Sequence, residues 1–171
     1  IWKNLGYQGY MGKLIEKISF KLTKNNIAIS EYIAKKINNE STVIPIGIDL
    51  KKIKKARKSK EKFDVLFVGR LIPEKNINLL IRAMGDSSLS LGIIGDGPEK
   101  NNLMNLVRKL NAKNIKFLGS LENEEEVYSY MKSSKIFVLP SIREGVGIVI
   151  LEALACGCKV VTTNHENNNA Q

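Results

Sequence analysis

Two glutamates, Glu144 and Glu152, stand with seven residues between them around the start of an apolar segment. Residues 146–156 are apolar apart from Glu152, so we predict a helix that is buried on every face. An ionised carboxylate inside such a helix is costly unless hydrogen bonds or a charged partner compensate for the lost water. Glu152 therefore either forms a salt bridge with a neighbouring lysine or arginine, or accepts hydrogen bonds from the hydroxyl groups of a ligand.

The loop before this helix favours the ligand-binding interpretation. Glu144 precedes the helix together with Gly145 and Gly147, and glycines allow a backbone to approach a ligand closely. The first turn of a helix also offers free N–H groups and the positive end of its dipole to a phosphate. Seven or eight helical residues rise roughly 10–12 Å, so one elongated ligand can contact Glu144, the loop and Glu152 in turn. A sugar joined through a diphosphate to a ribose has that shape and length.

The segments around these residues alternate between short apolar runs and amphipathic stretches. The apolar runs predict buried parallel strands at residues 64–69, 91–95, 115–119, 136–140 and 159–163. The amphipathic stretches predict helices at residues 74–84, from Pro98 to about residue 110, at 124–133 with Val127, Tyr130 and Met131 facing the core, and at 148–155. This order predicts the α/β class, with a Rossmann-like parallel sheet, helices on both faces, and a ligand site at the carboxyl ends of the strands.

The first part of the chain has a different pattern, and a basic run follows it. Residues 1–50 predict a helix at 11–22, a strand at 26–30, a helix at 31–37 capped by Ser30, and an extended run at 43–47. We interpret them as the end of a preceding α/β domain. Residues 51–62 are rich in lysine and are predicted to form a basic linker to the second domain, which starts at residue 63.

The formal net charge of +10 lies largely in residues 51–62. This run is either a solvated linker or helix surface, or a surface for anionic lipid headgroups, which attract each basic residue by about 1 kcal/mol. A nucleic-acid partner is disfavoured because the run has no aromatic residue for base stacking. Cys156 and Cys158 lack a second pair of metal ligands, so we predict no zinc site and a reducing, cytoplasmic location.

Residues 144–152, with the sequence EGVGIVILE, resemble the E-x7-E signature of the retaining GT-B glycosyltransferases of family GT4. Further stretches resemble landmarks of that family in the same order: ISE at residues 29–31, VIPIGID at 43–49, FVGRLIPEK at 67–75, IGDGP at 94–98 and FLG at 117–119. The resemblance covers roughly residues 26–163. Two places depart from the family pattern: Val146 stands where phenylalanine is usual, and residues 164–169 stand where a Gly-Gly turn is usual.

The resemblance implies a set of donor-binding residues. They are Gly69, Arg70, Lys75, Leu121, Glu144, Gly145, Gly147, Ile148 and Glu152. Arg70 and Lys75 would bind the donor diphosphate, Glu144 the sugar hydroxyls and Glu152 the ribose, and Leu121 would lie near the base. Glu144, Arg70 and Lys75 would be the catalytic residues of a transfer that retains the anomeric configuration. Because the chain has no D-x-D pair, neither a metal ion nor another cofactor is implied, and the two cations would stabilise the departing nucleotide.

The resemblance also implies that the chain is a fragment or a degenerate relative. Residues 1–50 would be the end of the N-terminal acceptor domain, and residues 63–171 a donor domain that is incomplete at its C-terminus. The donor would be a nucleotide sugar such as a UDP- or GDP-sugar, and the acceptor a sugar, a polysaccharide or a lipid-linked molecule at the cytoplasmic face of a membrane. The alternative is a non-catalytic nucleotide-binding or interaction module on the same fold. A dinucleotide-dependent dehydrogenase is disfavoured because no G-x-G-x-x-G sequence follows a predicted strand.

Overall fold

The computed structural model describes residues 6–23, 25–37, 41–145 and 147–165, and the chain divides into two units. The first unit is Ile1–Gly47 and the second is Ile48–Gln171. This division lies close to residue 50, where the sequence predicts the end of the first domain. Val146 and residues 166–169, at which the sequence departs from the family pattern, lie outside the described residues.

The described part of the first unit contains a small parallel β-α-β arrangement. Its elements in chain order are helix α1 (Gly6–Leu22), strand β1 (Ile27–Ala28), helix α2 (Glu31–Ile37) and strand β2 (Thr42–Val43). Strands β1 and β2 pair in parallel. Helix α1 begins earlier than predicted, whereas α2 has the predicted bounds. The Ser30 hydroxyl oxygen accepts a hydrogen bond from the Ile33 N–H at 3.3 Å, so the predicted cap of α2 is confirmed.

The second unit is built around a five-stranded sheet in which every strand pair is parallel. Its elements in chain order are helix α3 (Leu50–Lys55), strand β3 (Val65–Val68), a short 3-10 helix (Pro73–Lys75), helix α4 (Ile77–Gly85), strand β4 (Leu91–Ile94), helix α5 (Lys100–Lys109), strand β5 (Ile115–Gly119), helix α6 (Glu124–Ser133), strand β6 (Ile136–Leu139), helix α7 (Ile148–Ala155) and strand β7 (Lys159–Thr162). The predicted α/β class and parallel sheet are confirmed. Each strand predicted for this unit is found, with its ends displaced by no more than one residue, whereas the strand predicted at residues 26–30 and the extended run predicted at 43–47 in the first unit are the two-residue strands β1 and β2.

Strands β3 and β4 lie in the interior of the sheet because their side chains are apolar on both faces. Leu66 and Phe67 of β3, and Leu91 and Ile93 of β4, have no exposed surface. Such continuously apolar strands require helices on both sides of the sheet. Helices α4 and α5 pack together, and α3, α6 and α7 form a second packed group. Because right-handed crossovers in opposite directions place their helices on opposite faces, the two groups cover the two sides of the sheet.

The order of the strands reverses between β3 and β6. The sheet order is β5-β4-β3-β6-β7, so the chain first moves outward from β3 on one side and later returns to its other side. Loops that leave two such strands diverge and open a crevice at their carboxyl ends, where ligands of these sheets bind. We refer to residues 69–76 as the β3 loop and to residues 140–145 with 147 as the β6 loop. These two loops border the candidate site.

Two helices begin later than predicted, each for a local reason. The predicted helix at residues 74–84 is divided, because Pro73–Lys75 form the 3-10 helix and Asn76 then adopts a left-handed conformation with φ 51°. The predicted helix from Pro98 starts instead at Lys100, because Pro98 lies in a turn. The β3 loop therefore keeps an irregular backbone up to the start of α4.

The basic run predicted as a linker, residues 51–62, belongs to the second unit. Its first residues form α3, whose start is capped by the Asp49 carboxylate. That side chain accepts hydrogen bonds from the Lys51 and Lys52 N–H groups at 3.0 and 3.1 Å. Ile53 and Ala56 are buried in the core of the unit. The run is thus anchored by its apolar side chains, which the prediction of a linker did not anticipate.

The prediction that α7 is buried on every face is wrong, although its bounds are as predicted. Ile150 and Ala153 are buried, but Ile148, Leu151 and Leu154 are 41%, 38% and 54% exposed. The helix packs against α3, α6, β6 and β7, and no described residue covers its remaining face. Apolar composition alone does not bury a helix face, because burial also needs a neighbouring element. Glu152 is consequently only partly buried.

Candidate functional site

The β3 and β6 loops are joined directly at the reversal of strand order. The Ile142 N–H donates a hydrogen bond to the Glu74 carbonyl oxygen at 2.9 Å. The β6 loop is also held from its other side, where the Thr163 hydroxyl donates to the Ser141 carbonyl oxygen. These bonds fix the two loops relative to each other, so charged side chains on both loops come to one place.

Lys75 and Glu144 form an ion pair across these loops, between the Lys75 Nζ and the Glu144 Oε1 atoms. The two side chains are only 19% and 11% exposed. The Ser141 hydroxyl, which is fully buried, donates to the same Glu144 oxygen at 2.8 Å. Water screens a pair in this position less than it screens a surface pair. The structure thus brings these two predicted site residues into contact, while their roles toward a ligand stay predictions.

Arg70 lies in the β3 loop, and its side chain is exposed. It forms no ion pair with any residue of the described ranges. Its guanidinium is therefore available to an anion that enters the crevice. The two predicted phosphate ligands differ in this respect, since Lys75 is already paired with Glu144.

Two glycines after β4 allow the β3 loop to take its position. A Cβ atom at Gly95 would lie 1.9 Å from the Gly69 carbonyl oxygen, and one at Gly97 would lie 2.4 Å from the Leu71 carbonyl oxygen. The Leu71 N–H in turn donates to the Asp96 carbonyl oxygen at 2.9 Å. The sequence predicts a turn at residues 96–98 but does not predict that these glycines make room for the β3 loop. The signal for this role is the pair of glycines directly after a buried strand, where a neighbouring loop must approach closely.

Gly147 begins α7 in a left-handed conformation, with φ 60° and ψ 48°. This backbone conformation is unfavourable for residues with a Cβ atom, which accounts for the glycine. No described side chain caps α7. The Ile150 N–H donates to the Gly147 carbonyl oxygen at 2.7 Å, but the N–H groups of Ile148 and Val149 bond to no described residue, so these two are open to an external acceptor. The structure does not require a glycine at position 145 in the same way, because Gly145 is exposed and a Cβ atom there would meet nothing within 4 Å.

Glu152 is bonded to α6 and not to the β3 or β6 loop. The Tyr128 hydroxyl donates a hydrogen bond to the Glu152 Oε1 atom at 2.8 Å. No described lysine or arginine forms a salt bridge with Glu152, so the interpretation that it needs a basic partner is not supported. Among the described residues of 144–152, only those from Ile148 onward are helical. The rise calculated for a continuous helix between Glu144 and Glu152 therefore does not apply to the whole segment.

Sequence reasoning did not identify Tyr128, since it placed Val127, Tyr130 and Met131 on the inner face of α6. Met131 is fully buried as predicted, but Tyr128 is buried as well, at 4% exposure. Burial, and then the hydrogen bond to Glu152, raise the pKa of the Tyr128 hydroxyl above its usual value. The signal that could have found it is its spacing, because Tyr128 and Met131 are three residues apart and share a helix face.

Leu121 follows β5, which lies two strands away from the reversal of strand order. Its side chain is partly buried and packs against the core of the second unit. It takes no part in the contact between Lys75 and Glu144. Its predicted place near a nucleotide base stays a prediction.

The two cysteines have the environment of packing residues. Cys156 and Cys158 are free thiols. Burial raises the pKa of Cys156 to about 11, and the Cys158 thiol donates to the Met131 carbonyl oxygen at 3.0 Å. Thiols with raised pKa values are poor nucleophiles at neutral pH.

Within the described residues there is no group of three or more histidine, cysteine or acidic side chains that could hold a metal ion. No described helix is both long enough and apolar enough to cross a lipid bilayer.

Known proteins resemble this chain in sequence and in fold. Residues 49–171 match the sequence model of the family described as glycosyl transferases group 1. Over 110 residues, the chain is 40% identical to the N-acetylgalactosamine-N,N'-diacetylbacillosaminyl-diphospho-undecaprenol 4-alpha-N-acetylgalactosaminyltransferase of Campylobacter jejuni, a match that covers 63% of this chain and 29% of that protein.

Two solved structures share the fold. One is the pneumococcal O-GlcNAc transferase GtfA in complex with UDP and GlcNAc, with a TM-score of 0.74, 18% identity, and coverage of 91% of this chain and 33% of that chain. The other is sucrose-phosphate synthase from Thermosynechococcus elongatus, with a TM-score of 0.75, 22% identity, and coverage of 89% and 43%. At these identities the likeness establishes the fold alone, which is the GT-B fold. The matched region spans 28% of an uncharacterized glycosyltransferase of Methanocaldococcus jannaschii and 29% of the Campylobacter protein, so the chain covers less than a third of the length of these two relatives.

Proposed function

The chain belongs to the glycosyl transferases group 1 family, and we propose that it supplies the donor-binding half of a retaining glycosyltransferase of the GT4 type. In this proposal a nucleotide sugar binds between the β3 and β6 loops, and its sugar is transferred to a hydroxyl of an acceptor. The contact of Lys75 with Glu144, to which Ser141 is also bonded, carries the proposal. The contact brings a cation and a carboxylate together at the point where such sheets bind ligands. This supports the assignment of phosphate to the cation and of sugar hydroxyls to the carboxylate.

The diphosphate of the donor is assigned to the positive groups of the crevice. These are the Arg70 guanidinium, the Lys75 ammonium and the N–H groups of Gly147 and Ile148. Charge-assisted hydrogen bonds from arginine and lysine to phosphate are short and strong, and the start of α7 adds the positive end of its dipole. When the bond between the anomeric carbon and the phosphate oxygen breaks, its electrons stay with the nucleoside diphosphate. The acceptor oxygen forms the new bond to the anomeric carbon, and its hydroxyl proton passes to the departing diphosphate. The same cations stabilise that added charge, so the proposed reaction uses no metal ion.

The donor sugar is assigned to Glu144. Lys75 and Ser141 both contact the Oε1 atom of Glu144, which leaves Oε2 to accept hydrogen bonds from sugar hydroxyls. The Lys75 ammonium has three hydrogens, so it can remain on Glu144 and also donate to a phosphate oxygen. This arrangement would hold the sugar and the diphosphate on opposite sides of one ion pair.

Titration of the chain with UDP and with GDP tests the donor site. We expect one of them to bind at millimolar concentration or below, and Arg70→Ala to weaken that binding about 10- to 100-fold, as for loss of a charged hydrogen bond. Arg82→Ala is the matched control, because Arg82 is an exposed arginine of α4. This variant should bind UDP or GDP with the affinity of the unaltered chain. If no sugar nucleotide or nucleoside diphosphate binds at millimolar concentration, the proposal is wrong.

For the complete protein we propose a sugar, polysaccharide or lipid-linked acceptor and a cytoplasmic location. The name of the Campylobacter relative includes a diphospho-undecaprenol sugar, which supports the lipid-linked class. The exposed cations of residues 51–62 also support the lipid-linked class of acceptor.

Two lysines of this basic run are already paired within the protein. Lys52 and Lys55 pair with Glu124 and Glu125 at 2.8 and 3.9 Å.

The other basic side chains of this run are exposed and form no ion pair with a described residue. They are Lys51, Lys54, Arg57, Lys58, Lys60 and Lys62. We propose that they contact anionic lipid headgroups. Nucleic acid is not proposed as a partner, because the run has no aromatic side chain for stacking.

Sedimentation with liposomes tests the membrane contact. The chain should sediment with liposomes that contain phosphatidylserine, and high salt should release it, since salt screens exposed charges. The triple variant Lys58→Glu, Lys60→Glu, Lys62→Glu should bind less. The variant Lys109→Glu, Lys113→Glu, which changes exposed lysines elsewhere, should bind nearly as well as the unaltered chain. Sedimentation that depends on neither anionic lipid nor salt contradicts the proposal.

A further inference from the structure

Tyr128 of α6 and Glu152 of α7 are joined side chain to side chain. The Tyr128 hydroxyl donates to the Glu152 Oε1 atom at 2.8 Å. The Tyr128 ring belongs to the buried core of the second unit, so the packing of α6 sets the position of its hydroxyl. Glu152 is partly exposed on a helix that has an open face. A rigid donor therefore holds a side chain that reaches toward solvent.

One oxygen of Glu152 is held by this bond, and the other stays open. Oε1 accepts the Tyr128 hydrogen bond, and no described residue is bonded to Oε2. A free glutamate side chain loses up to about 2 kcal/mol of rotamer entropy when a ligand orders it. A buried partner that orients the carboxylate beforehand removes part of this loss. A tyrosine hydroxyl is already protonated at neutral pH, and burial raises the pKa of Tyr128 further, so this hydroxyl is a donor there.

We propose that Tyr128 is a positioning residue, which orients Glu152 to accept hydrogen bonds from the ribose hydroxyls of a nucleoside diphosphate. This inference rests on the proposed donor site, in which Glu152 binds the ribose. Tyr128 touches no ligand in this arrangement and acts only through Glu152. The ribose hydroxyls fit the open oxygen because they are donors and a carboxylate only accepts.

A purely structural hydroxyl would behave differently. If the Tyr128 hydroxyl only satisfied a polar group in the core, its removal would change stability and leave ligand selectivity unaltered. A positioning hydroxyl affects only those ligands that carry ribose hydroxyls. The two roles are therefore separated by the ratio of the affinities for a ribonucleoside diphosphate and for its 2′,3′-dideoxy analogue.

The test measures Kd by calorimetry for UDP, GDP and their 2′,3′-dideoxy analogues. Tyr128→Phe should weaken binding of the ribonucleotide about 3- to 10-fold, as for loss of one hydrogen bond, and leave binding of the dideoxy analogue unchanged. Glu152→Ala should show the same selective loss. Adding Tyr128→Phe to Glu152→Ala should then cause no further loss, because the two residues act as one unit.

Tyr130→Phe is the matched control. Tyr130 lies on the same helix, and its ring centroid is 6.2 Å from that of Phe63, so it belongs to a different contact. Tyr130→Phe should leave the affinities for the ribonucleotide and for the dideoxy analogue unchanged. Melting temperatures show whether each variant is folded. If Tyr128→Phe does not fold, Glu152→Asp replaces it, because the shorter carboxylate should lose the contact with Tyr128 and show the same selective loss.

The outcomes separate this inference from the proposed function. Two results for a folded Tyr128→Phe variant overturn the positioning role. In the first, the variant binds UDP or GDP as tightly as the unaltered chain. In the second, it loses affinity equally for the ribonucleotide and for its 2′,3′-dideoxy analogue. The donor site stands in that case if Arg70→Ala still weakens binding. If Glu152→Asp is used, equal affinity changes for both analogues overturn the role in the same way. Failure of the unaltered chain to bind either nucleotide overturns the donor site and the positioning role together.

Discussion

Strands β3 and β6 carry an ion pair at each of their two ends, and the charges are reversed from one end to the other. At the amino ends, Asp64 precedes β3 and pairs with Lys135, which precedes β6, at 2.7 Å. At the carboxyl ends, Lys75 follows β3 and pairs with Glu144, which follows β6. Both pairs link the same two strands, yet their surroundings differ.

The amino-end pair is a structural contact whose acidic member already has several partners. Asp64 accepts hydrogen bonds from the Ser90 N–H and the Ser90 hydroxyl, each at 3.0 Å, in addition to its bond with Lys135. The Ser90 hydroxyl oxygen accepts the Asp64 N–H in return, also at 3.0 Å. This network links the chain before β3 with the chain before β4 and before β6.

The carboxyl-end pair lies on loops whose other groups are still open. Oε2 of Glu144 has no described partner, Arg70 forms no ion pair with a described residue, and no described side chain caps α7 beside it. An ion pair by itself therefore does not indicate a ligand site. The backbone around it does, because strand ends with glycines and free N–H groups give a ligand something to bind.

Gly95→Ala should have the largest effect, because it displaces the β3 loop at the carboxyl end. A Cβ atom there would meet the Gly69 carbonyl oxygen at 1.9 Å, and φ is 139°. We expect the free energy of unfolding to fall by about 2–5 kcal/mol and nucleotide binding to be lost. Urea denaturation and calorimetry measure these effects. Gly145→Ala is the control, since a Cβ atom there meets nothing within 4 Å, and it should cost less than about 1 kcal/mol. Equal stability of the two variants would contradict the steric explanation.

Removing the lysine at each end should separate ligand binding from structure. Lys75→Ala should weaken binding of UDP or GDP about 10- to 100-fold, because a charge-assisted bond to phosphate is lost. Lys135→Ala should leave that Kd unchanged and lower the melting temperature slightly, because Lys135 lies at the opposite end of the strands. Calorimetry and thermal melting of both variants give the comparison. A similar loss of affinity in both would show that the two ends do not differ as we describe.

Acid should weaken the amino-end network, with a smaller effect than either change above. The hydrogen bond from Lys135, followed by those from Ser90, lowers the pKa of Asp64 from 3.8 to about 2. A carboxylate whose pKa is lower in the folded state stabilises the fold above its unfolded pKa, and this contribution disappears as the pH falls from about 4 to about 2. Urea midpoints of Asp64→Asn should therefore fall less steeply in this window than those of the unaltered chain.

Asp86→Asn is the control for this pH dependence. Asp86 is an exposed carboxylate at the end of α4, so its variant should keep the slope of the unaltered chain. If Asp64→Asn keeps that slope too, the network does not contribute to acid sensitivity.

Local sequence patterns located most elements of the second unit, including β5 and α6 with their observed bounds. They were less accurate where backbone conformation departs from the pattern, as at Asn76, or where a proline lies in a turn, as at Pro98. They were wrong about the burial of α7, since Leu154 is exposed despite its apolar surroundings in the sequence. Burial depends on which elements are neighbours, and periodicity within one helix does not contain that information.

The sequence by itself determined the alternation of strands and helices, the family, and the residue types at the strand ends, because these depend on residues that are close in the chain. Only the tertiary structure decided which of these residues meet. Lys75 and Glu144 are 69 positions apart, and Tyr128 and Glu152 are 24 apart. The first contact requires the reversal of strand order between β3 and β6, and the second requires the packing of α6 on α7. Both arise from long-range pairing, which the spacing of neighbouring residues does not specify.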